Sequence, residues 1–253
     1  MTTKEFSNEF DILFNSIATN AAPDIDEYEK SVYLTKAQKQ LVKNYFNPKG
    51  NKYQDGFENS TKRRYDLSQL IKSYHSVFKT QINESFIQYA ISNDSKFFKI
   101  PSNVFLILQE SATLKHETDK CINNKKVSVT PSTHDEFNLD KHNPFKKPYK
   151  KKVIRMDYNT ENLDYKIVEL INPYNIKEYK IRYVKEPSPI ILVNFNDVFP
   201  GEGLSIDSIN IKTECKLNHM IHDEILDRAV ELALGDYRPE LLQVKSQLNS
   251  RNE

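Results

Sequence analysis

Residues 178–184 read EYKIRYV, and this heptad decides the class of fold. Tyr179, Ile181 and Tyr183 alternate with Lys180, Arg182 and Val184, the two-residue period of a strand that buries one face. The same Val, Ile and Phe-rich character extends over FFKIP (97–101), NVFLILQESATLK (103–115), KKVSVTP (125–131), KKVIRMDYN (151–159), LDYKIVELI (163–171) and PIILVNF (189–195). Pro187 and Pro189 flank Ser188 and must break pairing before the last of these. No helical pattern lies between the strands. An antiparallel sheet or small barrel is therefore expected, rather than a βαβ fold.

Helical periodicity frames this region at both ends. Thr2 with Glu5 has capping-box spacing, followed by Phe6, Phe10, Leu13 and Ile17 at helical intervals and a stop over Asn20–Asp24, at Pro23. Thr35 with Gln38 repeats the box, placing Ala37, Leu41, Val42 and Tyr45 on one face, and Asn47–Gly50 ends that helix. After a polar linker at 48–60, Asp66 is expected to cap a shorter helix through Leu67, Leu70 and Ile71. Near the other end Ile221, Ile225, Ala229, Leu232 and Ala233 form an apolar stripe, with Asn218 as cap, Gly235 as stop and a polar helix after Pro239. Three regions result: a helical 1–90, a central β region 91–215 and C-terminal helices in 216–253. The fold class is α+β, with the terminal helices packed around the central sheet or barrel.

Composition narrows the function. Lys and Arg number 36 against 35 Asp and Glu, so the formal net charge of +1 is too small for a dedicated duplex reader; any nucleic-acid contact is local. A hydrophobic content of 38% implies polar segments that order against partners. Cys121 and Cys215 lack CxxC spacing and read as free thiols of a reducing compartment. Neither a secretory leader nor a membrane span is expected, and the chain reads as soluble and made in the cytosol.

Chemistry-bearing patterns are sparse. His134, Asp135, His142, His116 and Cys121 have no ligand spacing that fixes two metal donors on one element, so no metal is expected. His219 and His222 read as helix-cap or surface residues. Neither a nucleophile elbow nor a phosphate-cradling glycine loop occurs, and glycines total 5, so the chain is read as a non-enzyme without cofactors.

The most unusual stretch is PSTHDEFNLDKHNPFKKPYKKK, residues 131–152. Pro144 and Pro148 favour extended backbone there, and the stretch reads as an arm within the β region. His134, Asp135, Phe137, Asn143, Pro144, Phe145, Pro148 and Tyr149 supply anchoring and orienting groups. Lys146, Lys147, Lys150, Lys151 and Lys152 surround the aromatics and suit nucleic-acid phosphates, with a solvated arm or one that pairs with acidic neighbours as the plainer reading.

Five stretches together are similar to the neck ring proteins, or head–tail connectors, of crAss-like tailed phages. They are EFDILFNSIATNAAPDIDEYEKSVYLTKAQKQLVKNYF (9–46), TKRRYDLSQLI (61–71), THDEFNLDKHNPFKKP (133–148), KIRYVKEPSPIIL (180–192) and HDEILDRAVELAL (222–234), in the family's order along nearly the whole chain. The resemblance implies an adaptor-like architecture and a non-catalytic virion protein, assembled in the host cytoplasm and located in the neck. It implies a ring of identical subunits, usually twelve, beneath the portal protein, in contact with adjacent neck ring or tail proteins and with genomic double-stranded DNA passing through the channel. On that reading 131–152 is a subunit-interface arm, and Ile221, Ile225, Arg228, Ala229 and Leu232 pack between subunits. The alternative is a phage-encoded nucleic-acid-binding accessory protein that uses the lysine run.

Overall fold

The computed structural model describes residues 1–17, 25–46, 61–117, 119, 121–158 and 165–237. The stops expected over Asn20–Asp24 and Asn47–Gly50, the linker at 48–60 and the helix after Pro239 lie outside them. The chain divides into two compact units, one from residues 1–70 and 187–253, the other from 71–186.

In the first unit α1 (Thr3–Ile17) opens with the expected box: Glu5 N donates to Thr2 Oγ1 at 3.3 Å and Thr2 N to Glu5 Oε2 at 2.8 Å. Phe6, Phe10 and Phe14 are its buried stripe, while Leu13 is only half-buried. The second helix, α2 (Glu27–Phe46), starts eight residues before Thr35. Asp26 and Glu29 form its box, Glu29 N donating to Asp26 Oδ1 at 2.7 Å, so Thr35 is an interior residue and not a cap. This frees the Thr35 and Ser31 hydroxyls for another task. Thr35 Oγ1 accepts from Ile190 N at 3.1 Å and donates to Ile190 O at 3.3 Å, while Ser31 Oγ accepts from Leu192 N at 3.1 Å.

The PIILV segment is therefore no strand of the sheet: helix hydroxyls satisfy its backbone at alternate residues, and Ile191 pairs with Thr213 alone. Ile190, Ile191 and Leu192 are fully packed. The short helices α3 (Thr61–Asp66) and, further on, α6 (Phe195–Val198) complete this part. Asp66 ends α3 instead of starting a helix, and a single 3-10 turn at Ser68–Leu70 follows.

The last described helix, α7 (His222–Tyr237), is preceded by a turn capped by Asn218, whose side chain accepts from Met220 N. It runs through Gly235 to Tyr237, where the phenol donates to Glu29 Oε1 at 2.7 Å. Charged groups bind the three long helices together as well. Lys30, almost fully buried, reaches Asp11 at 2.8 Å and Glu27 at 3.0 Å. Burial lowers its pKa, but the hydrogen bonds and charges of Asp11 and Glu27 outweigh this and raise it.

His222 departs from the expected surface role. It is buried, its Nε2 lies 3.2 Å from Leu217 O and its Nδ1 lies 2.8 Å from the Met1 ammonium. Burial and the adjacent ammonium both lower its pKa.

The second unit is a seven-stranded mixed sheet, barrel-like and nearly closed. Its strands are β1 (Ile71–Val77), β2 (Ser95–Pro101), β3 (Val104–Lys115), β4 (Lys126–Pro131), β5 (Lys152–Tyr158), β6 (Tyr165–Ile171) and β7 (Asn175–Lys185), in the order β1-β7-β3-β4-β5-β6-β2. The edge strands β1 and β2 approach one another. All pairs are antiparallel except β4 with β5. Strand β1 falls in the stretch expected to be helical, since KSYHSV alternates polar and half-buried residues too weakly to announce a strand. Tyr179, Ile181 and Tyr183 of β7 point into the barrel beside Phe98, Ile100, Leu114, Val153 and Leu170.

A polar network crosses this interior. Arg155 Nη1 lies 3.0 Å from Glu110 Oε1, with side chains only 10% and 7% exposed, and the Tyr179 phenol donates to Glu110 Oε2 at 2.7 Å. Burial raises the Glu110 pKa, opposed by the Arg155 charge and the Tyr179 hydrogen bond.

Two outcomes follow from these buried groups. Arg155→Met strands the Glu110 carboxylate and costs about 3–5 kcal/mol in urea unfolding; adding Glu110→Gln, which still accepts from Tyr179, recovers most of the loss. For His222 the folded pKa lies below the unfolded 6.5, so the unfolded chain binds more protons in acid. Stability conferred by its neutral ring is complete above pH 6.5 and declines as pH falls toward the folded pKa. Thermal melts of His222→Asn should lose that part of the acid slope.

Candidate subunit interface

A parallel pair cannot be joined by a hairpin, so the chain from Pro131 at the end of β4 must cross to Lys152 at the start of β5. The crossover is the 131–152 stretch. It is not extended throughout: α5 (His134–Asp140) forms under a complete capping box, with Glu136 N donating to Thr133 Oγ1 and Thr133 N to Glu136 Oε2, both at 3.2 Å. The box and the buried Phe137 outweigh the extended preference in α5, and the residues around Pro144 and Pro148 form turns instead of the expected extended arm. Phe137 packs on Ile154, Met156 and Ile171, fixing α5 to the outer face of β5 and β6.

Beyond α5 the backbone is closed locally. Lys147 N and Lys146 N donate to Asn143 O, Phe145 N donates to Asn143 Oδ1 at 3.0 Å, and Lys146 pairs with Asp140 at 3.1 Å. Buried Asn172 clamps the far end, donating from Nδ2 to Tyr149 O at 3.0 Å and Lys152 O at 2.9 Å. This rigid frame holds Phe145 91% exposed and Leu139 80% exposed. Tyr149 is partly exposed, as are Pro144 and Pro148 to different degrees, and Asp135, His134, Lys147, Lys150 and Lys151 face solvent. Lys152 is half-buried, its Nζ donating to Lys146 O at 3.2 Å. Two large apolar side chains at such exposure on an ordered segment are characteristic of a surface that another protein covers.

The α7 stripe has a different fate. Ile221, Ile225 and Ala229 are fully buried within their own chain, in the helical unit, so the packing expected between subunits takes place inside one. Leu232 is half-buried. Arg228 remains outside, pairing with Glu231 at 2.8 Å and donating to Gln40 at 3.0 Å.

No cluster of potential metal ligands occurs among the described residues, and Cys121 and Cys215 are free thiols. No described helix is long and apolar enough to cross a membrane.

Sequence reading missed a second surface layer. The helix α4 (Thr80–Phe86) and the turn after it cover the outer face of β2 through Phe86, which meets Phe97 and Tyr158, leaving Ile87, Tyr89 and Ile91 exposed. It also missed the outward face of β1, β7 and β3, although the alternation of Lys180 and Arg182 in EYKIRYV signals it.

Leu139 and Phe145, bare to solvent on an ordered segment of a small barrel, are the chief candidates for contact with another protein. Residues 1–240 match a family model described as phage tail ring protein 3/4. The chain is 39% identical over 255 residues to "Ring protein 4/5" of Bacteroides phage crAss001, covering 100% of both chains. It is 38% identical over 234 residues to "Ring protein 3" of the same phage, covering 92% of this chain and 95% of that one. The chain belongs to this family of phage ring proteins, and its role is that of a structural component of the virion.

Phe137 and Phe145 should differ sharply in what they contribute to folding. Phe137→Ala should lower stability by about 3–5 kcal/mol, whereas Phe145→Ser should leave the unfolding free energy within about 0.5 kcal/mol of the unmodified chain.

Proposed function

We propose that the chain is a subunit of a closed neck ring beneath the portal, joining capsid to tail around the channel through which the genome passes. The observation that carries this reading is the ordered crossover with Leu139 and Phe145 bare to solvent, in a chain of the ring-protein family. A ring subunit must bury surface against two identical neighbours, which demands two non-identical patches per copy. The crossover supplies one of them. Near-neutral net charge suits a conduit, since strong attraction to the duplex would oppose its passage.

Two tests address different parts of the reading. Reconstruction of the virion neck should find this chain as a ring between portal and tail; a mature particle lacking it would overturn the proposal. Leu139→Ser with Phe145→Ser should give folded subunits that fail to associate in light scattering. Deletion of residues 134–150 is the poorer experiment, because it removes the connection that the parallel β4–β5 pair requires.

The second reading, an accessory protein that binds nucleic acid, draws on exposed Lys147, Lys150 and Lys151. It predicts duplex affinity that falls steeply between low and moderate salt. The ring reading predicts little affinity to lose.

A further inference from the structure

The two units carry opposite charge. Residues 71–186 hold 20 Lys and Arg against 14 Asp and Glu, whereas the remainder of the chain holds 16 against 21. The near-zero total therefore conceals a basic sheet unit joined to an acidic helical one. Such asymmetry points to a polyanionic partner for the sheet.

Part of that basic charge is displayed on bare strands. Within the sheet unit, α4 and α5 cover the outer faces of β2, β5 and β6. The outward positions of β1, β7 and β3 are open and fall into two cross-strand rows. In one, Arg182 lies between Ser73 and Gln109; in the other, Lys180 lies between His75 and Ser111. These six residues border an open groove of about 340 Å³.

The chemistry of the two rows is uniform. Every one of the six side chains can donate a hydrogen bond, two carry fixed positive charge, and none is apolar or acidic. Arg182 is exposed and has no ion-pair partner among the described residues. Glu178, opposite Val77 in the next row, is shared: Lys180 and His75 each lie 3.3 Å from it and Lys177 3.8 Å. One carboxylate cannot match both lysines, and Arg182 is left over. Phosphate oxygens only accept hydrogen bonds, and backbone contacts to nucleic acid draw on cations and neutral donors of this kind. A protein partner instead calls for a desolvated apolar centre, which both rows lack.

We infer that the outward face of β1, β7 and β3 is a phosphate-binding wall for a nucleic-acid backbone, with Arg182 and Lys180 as its charged contacts. Two cations per subunit give a weak, sequence-independent hold that a moving duplex can break. Turning this wall toward the bore rests on the ring reading; the contact itself does not. The inference assigns the duplex to the sheet face and not to the lysine run of the crossover.

Fluorescence anisotropy of a labelled DNA duplex with the full chain at low salt tests it. Binding should be weak and indifferent to sequence. The slope of log affinity against log salt should be about −2, where six or more phosphate contacts would give about −5 or steeper. Lys180→Gln with Arg182→Gln should lower affinity at least about tenfold, while Lys147, Lys150 and Lys151 all changed to Gln should lower it less than about twofold. Arg182→Lys keeps the charge and should keep most of the affinity. Arg182 is exposed and Lys180 partly so, and melting temperatures should hold. The contact is wrong if the double variant binds as the unmodified chain does, if the crossover lysines carry the affinity, or if no binding occurs at low salt. Tighter binding of poly-glutamate than of the duplex would also overturn it, assigning the face to an acidic protein segment. None of these results depends on assembly, so a mature particle lacking the chain would remove the ring reading and leave the contact standing.

Discussion

The structure depends on two strands lying side by side in the same direction. Every other neighbouring pair is antiparallel, but β4 and β5 run parallel and oblige the chain to travel the length of the barrel between them. That journey puts a polar, lysine-rich segment on the outside and requires anchors to hold it there. Phe137 and Asn172 are those anchors, one apolar and one through its amide. Because the segment is fixed at both ends, Leu139 and Phe145 are presented in defined positions, which would lower the ordering entropy lost if they form the proposed ring contact.

The barrel interior resolves a related conflict. An arginine inside a small barrel is tolerable only if its charge is met, and Glu110 meets it while also accepting from Tyr179. The three groups come from β5, β3 and β7, so the network links strands on both sides of the parallel junction. Register errors would break it, because a one-residue slip turns each of these side chains outward. Its worth lies as much in specifying the pairing as in stabilising it.

Much of this was legible in the sequence, and the failures have physical causes. Alternation in EYKIRYV located β7 because one face is apolar and the other charged. Strand β1 was hidden because Ser73 and His75 face solvent while Tyr74 and Ser76 are a mixed inner pair. The PIILV run has strand composition, yet its partners are the Ser31 and Thr35 hydroxyls of a helix, and no local rule anticipates a long-range contact of that kind. Thr35 has the spacing to Gln38 that a cap requires, but Asp26 and Glu29 present the same spacing earlier and take the role. For the interface, the crossover stood out by composition, but its helix depended on Thr133 and Glu136 competing with nearby prolines.

The order of the two units along the chain has a bearing on synthesis. The sheet unit is continuous, whereas the helical unit is divided between the beginning and end of the polypeptide. During translation every strand of the barrel has therefore been made before Ile190 and Leu192 emerge to seal the hydroxyls of α2. The early helices must wait with a part-finished core, and a nascent chain arrested near residue 187 would carry a complete barrel alongside helices still lacking their last partner.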